Sequence, residues 1–197
     1  MTRWPRSGKS RSYPVHEILT VAGVLFIAFG LRAWYLQQYL ILMPTALHPG
    51  NDAGMYWNLG RKIYLDGWLL PGEGPFYQAP LYAYFLAGMH HLGMHRIDEI
   101  LRAQTWLGVA CVGLTYLLAR SRLPAGWAAG AALLFGLCHY PVFFESKILA
   151  ETLGLFLFLV FALSFTAWIR SSRTLYLLLS AVVFSLVVLC RPNFLFT

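Results

Sequence analysis

Apolar stretches of bilayer-spanning length follow one another from Ile18 to Cys190 with few charges between them, and this constrains the fold more than any other feature. About five such stretches take up most of the 197 residues and leave no room for a sizeable water-soluble domain. Only 12% of the residues are charged, against about 25% in an ordinary soluble domain. The sequence therefore predicts an all-α polytopic membrane protein, with about five transmembrane helices and additional helices at the outer face.

Charge placement sets the topology. A formal charge of +7 would suit a nucleic-acid binder, but the cations sit where cytoplasmic loops carry them, so no nucleic-acid partner is expected. Arg3, Arg6, Lys9 and Arg11 crowd the N-terminus, Arg120 and Arg122 mark one short loop, and Arg170 and Arg173 mark another. The first span, 15–43, lacks a small-x-small cleavage site after Arg32-Ala33-Trp34, so it reads as an uncleaved anchor with a cytoplasmic N-terminus.

An outer loop over 44–99 follows. Within it, Asp52 to Asp66 places Met55, Tyr56, Leu59 and Ile63 at helical spacing, which predicts an amphipathic helix on the outer membrane surface. The segment Phe76 to Leu92 is apolar but interrupted by Pro80, Gly88, His90 and His91. Were it to cross, both later basic loops would lie outside; a juxtamembrane or re-entrant helix keeps them inside. Four further spans then fill 100–190: Ile100–Leu118, Trp127–Phe144, Leu149–Trp168 and Leu175–Cys190. Apolar residues continue to the end of the chain, so the sequence reads as the N-terminal part of something longer. This topology gathers Asp52, Glu73, Glu145, Lys147, Glu151 and Arg191 at the outer end and leaves Glu17 among basic anchors at the inner end.

Each conspicuous residue has a plain reading and a chemical one. Asp52 opens a helix after Pro49-Gly50-Asn51, so it reads as an N-cap or as a carboxylate base at the mouth of a cavity. Glu151 reads as the partner of Lys147 at i,i+4 or as a functional group near the interface. Arg191 and Arg32 either snorkel to headgroups or hold a phosphate. His90, His91 and His95 read as interfacial, since no Glu follows the first His of the four-residue pair His91/His95 as a zinc helix requires. The aromatics, among them Trp57, Trp68, Tyr77, Tyr82 and Tyr84, read as an interface belt. Cys111, Cys138 and Cys190 read as small buried hydrophobes. There is no P-loop, dinucleotide fingerprint or Gly-x-Ser-x-Gly, which excludes nucleotide-driven and serine-hydrolase readings.

The order of motifs resembles the N-terminal half of the GT-C glycosyltransferases, within them the protein O-mannosyltransferase and lipid A aminoarabinose transferase group. It runs from Asn51-Asp52-Ala53-x-x-Tyr56 through Gln78-Ala79-Pro80-Leu81-Tyr82, Leu92-Gly93, Arg102, Leu117-Leu118-Ala119-Arg120 and Glu151 to Arg191-Pro192-Asn193. The resemblance implies an inverting enzyme of the bacterial plasma membrane. It would move a sugar from a polyprenyl-phosphate carrier to a protein, lipid or glycan acceptor at the outer face. Asp52 would be the catalytic base; Lys147 and Arg191, with Arg102 behind them, would stabilise the departing phosphate, and Glu151, Tyr56 and Gln78 would complete the binding set. Some members carry an acidic residue and a lysine just before the proline matched by Pro80. Gln78 and Ala79 stand there in this chain, which weakens a divalent-metal or phosphate contact at that point. Two rival readings are a binding or transport module for lipid-linked sugars and a catalytically silent membrane scaffold.

Overall fold

The computed structural model describes residues 14–43, 45–69 and 78–191; the expectations for the basic tail, Glu73, Tyr77 and 192–197 lie outside these. The described residues form eight helices and no strand: α1 (Val15–Leu42), α2 (Asn51–Asp66), α3 (Pro80–His91), α4 (Ile97–Arg120), α5 (Ala125–Leu137), α6 (His139–Glu145), α7 (Glu151–Ser171) and α8 (Thr174–Cys190).

α1, α4 and α7 are each long and apolar enough to cross a membrane. The expected straight span over Trp127–Phe144 is instead two helices, α5 and α6, bent by 52°. Cys138 at the break is extended, with φ −65° and ψ 123°. Pro141 follows three residues later, and its ring has no N–H to return to the Leu137 carbonyl. The last expected span is found as α8, but its 17 residues reach only about 25 Å, short of a hydrocarbon core about 30 Å thick. The described residues thus hold three helices long and apolar enough to span singly, or four candidates with the bent pair, with α8 as a shorter apolar helix beside the five spans expected.

At 12 residues, roughly 18 Å, α3 is too short to cross a bilayer. It packs against α2 and also touches α8. Tyr56, Gly60 and Ile63 form the buried stripe of α2, so that helix turns its apolar face onto α3; Met55, expected on the same face, stands 43% exposed. Gly60 makes the approach possible, since a Cβ there would stand 2.7 Å from Leu86 Cβ. Tyr82, Ala83, Leu86 and Ala87 of α3 are fully buried in the same cluster, with Ile100 and Leu101 of α4.

A second cluster joins α1, α4 and α5 through small residues: Val24, Ala28, Val112, Ala128 and Ala132. Alanine and glycine let membrane helices approach where no aqueous hydrophobic effect drives them together. The bundle's two ends differ in composition. Where α1 begins and α4 ends, buried Glu17 pairs with Arg120 at 2.7 Å and accepts a hydrogen bond from the Tyr116 hydroxyl. The opposite end carries α2, α3, the α6–α7 connection and the last turn of α8.

Candidate functional site

The site grows from the irregular connection between α6 and α7. Residues 146–150 are not helical, so the Lys147–Glu151 pair expected at i,i+4 does not form. Lys147 instead places Nζ over the rings of Phe143, 4.5 Å from its centroid, and Tyr39, 5.3 Å away. Glu151 opens α7 and pairs with Arg191 Nη1 at 3.2 Å.

Gln104 of α4 holds this connection in place. Its Nε2 donates to the carbonyls of Glu145 (2.9 Å) and Lys147 (2.7 Å), while its Oε1 accepts from the Tyr82 hydroxyl of α3. Gln104 and Tyr82 are fully buried; the amide donates to the Glu145 carbonyl and adds a second bond to the Lys147 carbonyl, which also accepts from the Leu149 N–H at 2.9 Å. Gln104 is not among the sequence-predicted site residues. The signal was present, because a lone amide in an apolar span needs a partner.

Tyr56 is the junction between α2 and this end of the bundle. Its ring meets Tyr82 edge-on at 5.0 Å. Burial, reinforced by neighbouring Cys190, Glu151 and Asp52, raises its phenol above the usual range, and Arg191 opposes that rise. Asp52, Glu151 and Arg191 thus all act on the Tyr56 phenol. Asp52 itself is exposed in the first turn of α2, and Gly50, not Asp52, is the N-cap. Asn51 just before it takes a left-handed φ of 48°, which Asn tolerates better than most side chains. Gly54 fits beneath the turn, since a Cβ there would stand 2.7 Å from the Pro49 carbonyl oxygen. This local fold leaves the Asp52 carboxylate without a hydrogen bond or ion pair to the described residues.

Arg32 neither snorkels nor offers itself to a phosphate. It is 1% exposed, with Nε 2.9 Å from Glu145 Oε2 and Nη1 donating to the carbonyls of Gly136 (2.7 Å) and Ala28 (3.3 Å). It thereby joins the two sides of the α5–α6 break. Gly108 of α4 makes room for the pair: a Cβ there would lie 2.2 Å from the Glu145 carboxyl carbon.

A cavity of about 340 Å³ lies beside this pair, lined by Cys111, Phe144, Glu145, Glu151, Thr152 and Arg191 among others. The buried Thr152 hydroxyl has no hydrogen-bond partner among the described residues. Arg102 is not part of this grouping. It is exposed, reaches Asp98 at 3.5 Å and borders a different cleft between α1 and α4. Gln78 is half-buried just ahead of α3.

The histidines pack as aromatics. His90 is buried, its Nδ1 lies 2.9 Å from the Met94 carbonyl, and its ring contacts Trp57, Tyr64 and His95. Desolvation first, then the positive neighbours His95, Arg61 and His91, lower its pKa against the opposing Met94 bond. His91 stacks on Trp68 at 5.4 Å. No cluster of His, Cys, Asp and Glu able to hold a metal occurs among the described residues. Of the cysteines, Cys111 and Cys190 are buried as expected, while Cys138 is exposed at the helix break.

The fold and site define a helical membrane protein with a charged, partly open site at one end of its bundle. No family model, curated protein or solved structure matches the chain.

Proposed function

We propose that this chain is the N-terminal part of a GT-C-type glycosyltransferase that moves a sugar from a polyprenyl-phosphate carrier to an acceptor hydroxyl. The observation that carries the reading is the convergence on Tyr56. Asp52, a carboxylate without a hydrogen bond or ion pair among the described residues, and the half-open Glu151–Arg191 pair both act on Tyr56, and the pair lines a cavity. In this reading the end of the bundle that carries α2 and α3 faces outward from a bacterial plasma membrane.

Asp52 removes the proton from the acceptor hydroxyl, whose oxygen attacks the anomeric carbon while the bond to the carrier phosphate breaks, inverting the centre. The departing phosphate carries the negative charge, so the main requirement is a cation and not a general acid. Arg191 supplies it with four guanidinium donors beyond the one on Glu151, and Lys147 adds a second cation at the same end. An exposed, uncapped Asp suits the base role better than a capped one, because capping bonds would lower its basicity.

A transport or binding module is the second reading, and the 52° break between α5 and α6 favours it, since broken helices frame substrate sites in transporters. The test is Asp52→Asn assayed in native membranes with a polyprenyl-phosphate sugar donor. Transfer should fall by at least about 10²-fold, the lower bound for a lost general base, with membrane insertion and donor binding retained. Unchanged transfer removes Asp52 from the base role; donor binding with no transfer by the unsubstituted protein favours the module.

A further inference from the structure

The cleft between α1 and α4 has a chemistry of its own. Its volume is about 520 Å³, and the α1 wall is a single stripe: Phe29, Ala33, Leu36, Gln37, Leu40 and Ile41. At 1.5 Å per residue this stripe runs about 18 Å along the helix. On the α4 wall stand Arg102, Thr105 and Trp106, and Trp106 stacks on Phe29 with ring centroids 4.5 Å apart. None of the residues lining the cleft belongs to the Asp52, Tyr56, Glu151 and Arg191 grouping.

The geometry points to this cleft as a seat for an anionic membrane phospholipid, with the phosphate at Arg102 and Gln37 and an acyl chain lying over Ala33 toward the Phe29–Trp106 stack. Side chains on a helix lean toward its N-terminus, so Arg102 reaches from the wall of α4 toward the end of the bundle where headgroups lie. Asp98 is shared. Arg96 Nε takes it at 3.0 Å, while Arg102 Nη2 touches it only at 3.5 Å. Glu99 is engaged elsewhere, accepting the backbone N–H groups of His95 and Arg96. Arg102 lines the cleft with its side chain 69% exposed, so its guanidinium is accessible to a ligand there.

The floor suits hydrocarbon. Phe29, Leu40, Ile41 and Trp106 offer an apolar surface over buried Leu36, and Trp106 is 60% exposed. A basic group at the rim of an apolar groove between membrane helices is the arrangement that binds anionic lipid headgroups. The volume, spread over about 18 Å, is too narrow for a helix 10–12 Å across, which argues for a chain and not a further span as the occupant.

The test reconstitutes the protein in vesicles of phosphatidylcholine and phosphatidylglycerol in which one lipid or the other carries bromine on its acyl chain. Trp106 quenching is isolated by subtracting the Trp106→Phe signal. Brominated phosphatidylglycerol should occupy the site about fivefold in preference to brominated phosphatidylcholine, the factor expected from one arginine near the surface. Arg102→Gln should equalise the two lipids, and Arg102→Lys should keep part of the preference. Ala33→Phe, which fills the cleft without touching the charge, should reduce quenching by both. Equal quenching by both lipids in the unsubstituted protein overturns the proposal, as does a preference that survives Arg102→Gln. Trp106 inaccessible to either lipid, which a protein helix seated in the cleft would produce, overturns it as well.

Discussion

Two of the arginine–glutamate pairs among the described residues, Arg32–Glu145 and Arg191–Glu151, are built from the same groups and serve opposite purposes. Arg32 and Glu145 are 1% and 5% exposed at their side chains, joined across the α5–α6 break and enclosed against Gly108. Arg191 and Glu151 are 43% and 22% exposed, border a cavity and lie close to Tyr56. A sealed pair is bound by its desolvation cost to keep its partner. An open pair can exchange its partner for a ligand. Burial, not the identity of the ions, separates the structural pair from the one available for chemistry.

The largest effect should come from breaking the sealed pair. Arg32→Leu strands the Glu145 carboxylate and frees the Gly136 carbonyl, and it should cost about 3–5 kcal/mol of stability, read by denaturant unfolding in micelles. The double substitution Arg32→Leu, Glu145→Leu should recover most of that loss, because a well-packed apolar pair is often no less stable than a buried ionic one. A single substitution costing under about 1 kcal/mol would show that water reaches the pair, and the contrast with Arg191 would collapse.

Gln104 sharpens the comparison at intermediate scale. Gln104→Leu leaves the Glu145 carbonyl and the Tyr82 hydroxyl without the amide they meet here and takes one of two donors from the Lys147 carbonyl, which keeps the Leu149 N–H; this should cost about 1–3 kcal/mol for each group left dry. The same substitution frees the Lys147 connection, so amide exchange should quicken over 146–150 before it does in α1. Uniform exchange across the bundle would mean that Gln104 supports the core and not the site.

These three elements were unequally legible in the sequence. The grouping of ends was readable, because Glu17 and the loop arginines sit on one set of helix termini and Glu145, Lys147, Glu151 and Arg191 on the other, and the folded helices keep that division. The short α3 was readable from Pro80 and the charge rule together. The break at Cys138 was signalled by Pro141 but hidden inside a run whose mean hydropathy still suits a span. Arg32–Glu145 could not be read at all: 113 residues separate the partners, and helix periodicity carries no information about which distant residue a side chain will meet. Glu151 shows the same limit from the other side. Its nearest cation in sequence is Lys147, yet the loss of helix over 146–150 sends it to Arg191, 40 positions away.

The smallest stability effect, and the most informative spectroscopic one, belongs to the open pair. Arg191→Gln should change unfolding free energy by no more than about 1 kcal/mol, since a half-exposed pair is screened and its carboxylate can rehydrate. Its electrostatic effect on Tyr56 has a fixed sign. Arg191 favours the charged phenolate and pulls the Tyr56 pKa down, so removing it should push that pKa higher still. Glu151→Gln removes a charge that opposes the phenolate and should move it the other way. Ultraviolet titration of each variant against the same protein carrying Tyr56→Phe isolates this tyrosine among the 11 in the chain. Opposite shifts at nearly constant stability would establish that Arg191 and Glu151 act on the space around Tyr56 and not on the fold. Shifts of the same sign, or a loss of stability as large as that of Arg32→Leu, would place both pairs in the structural class.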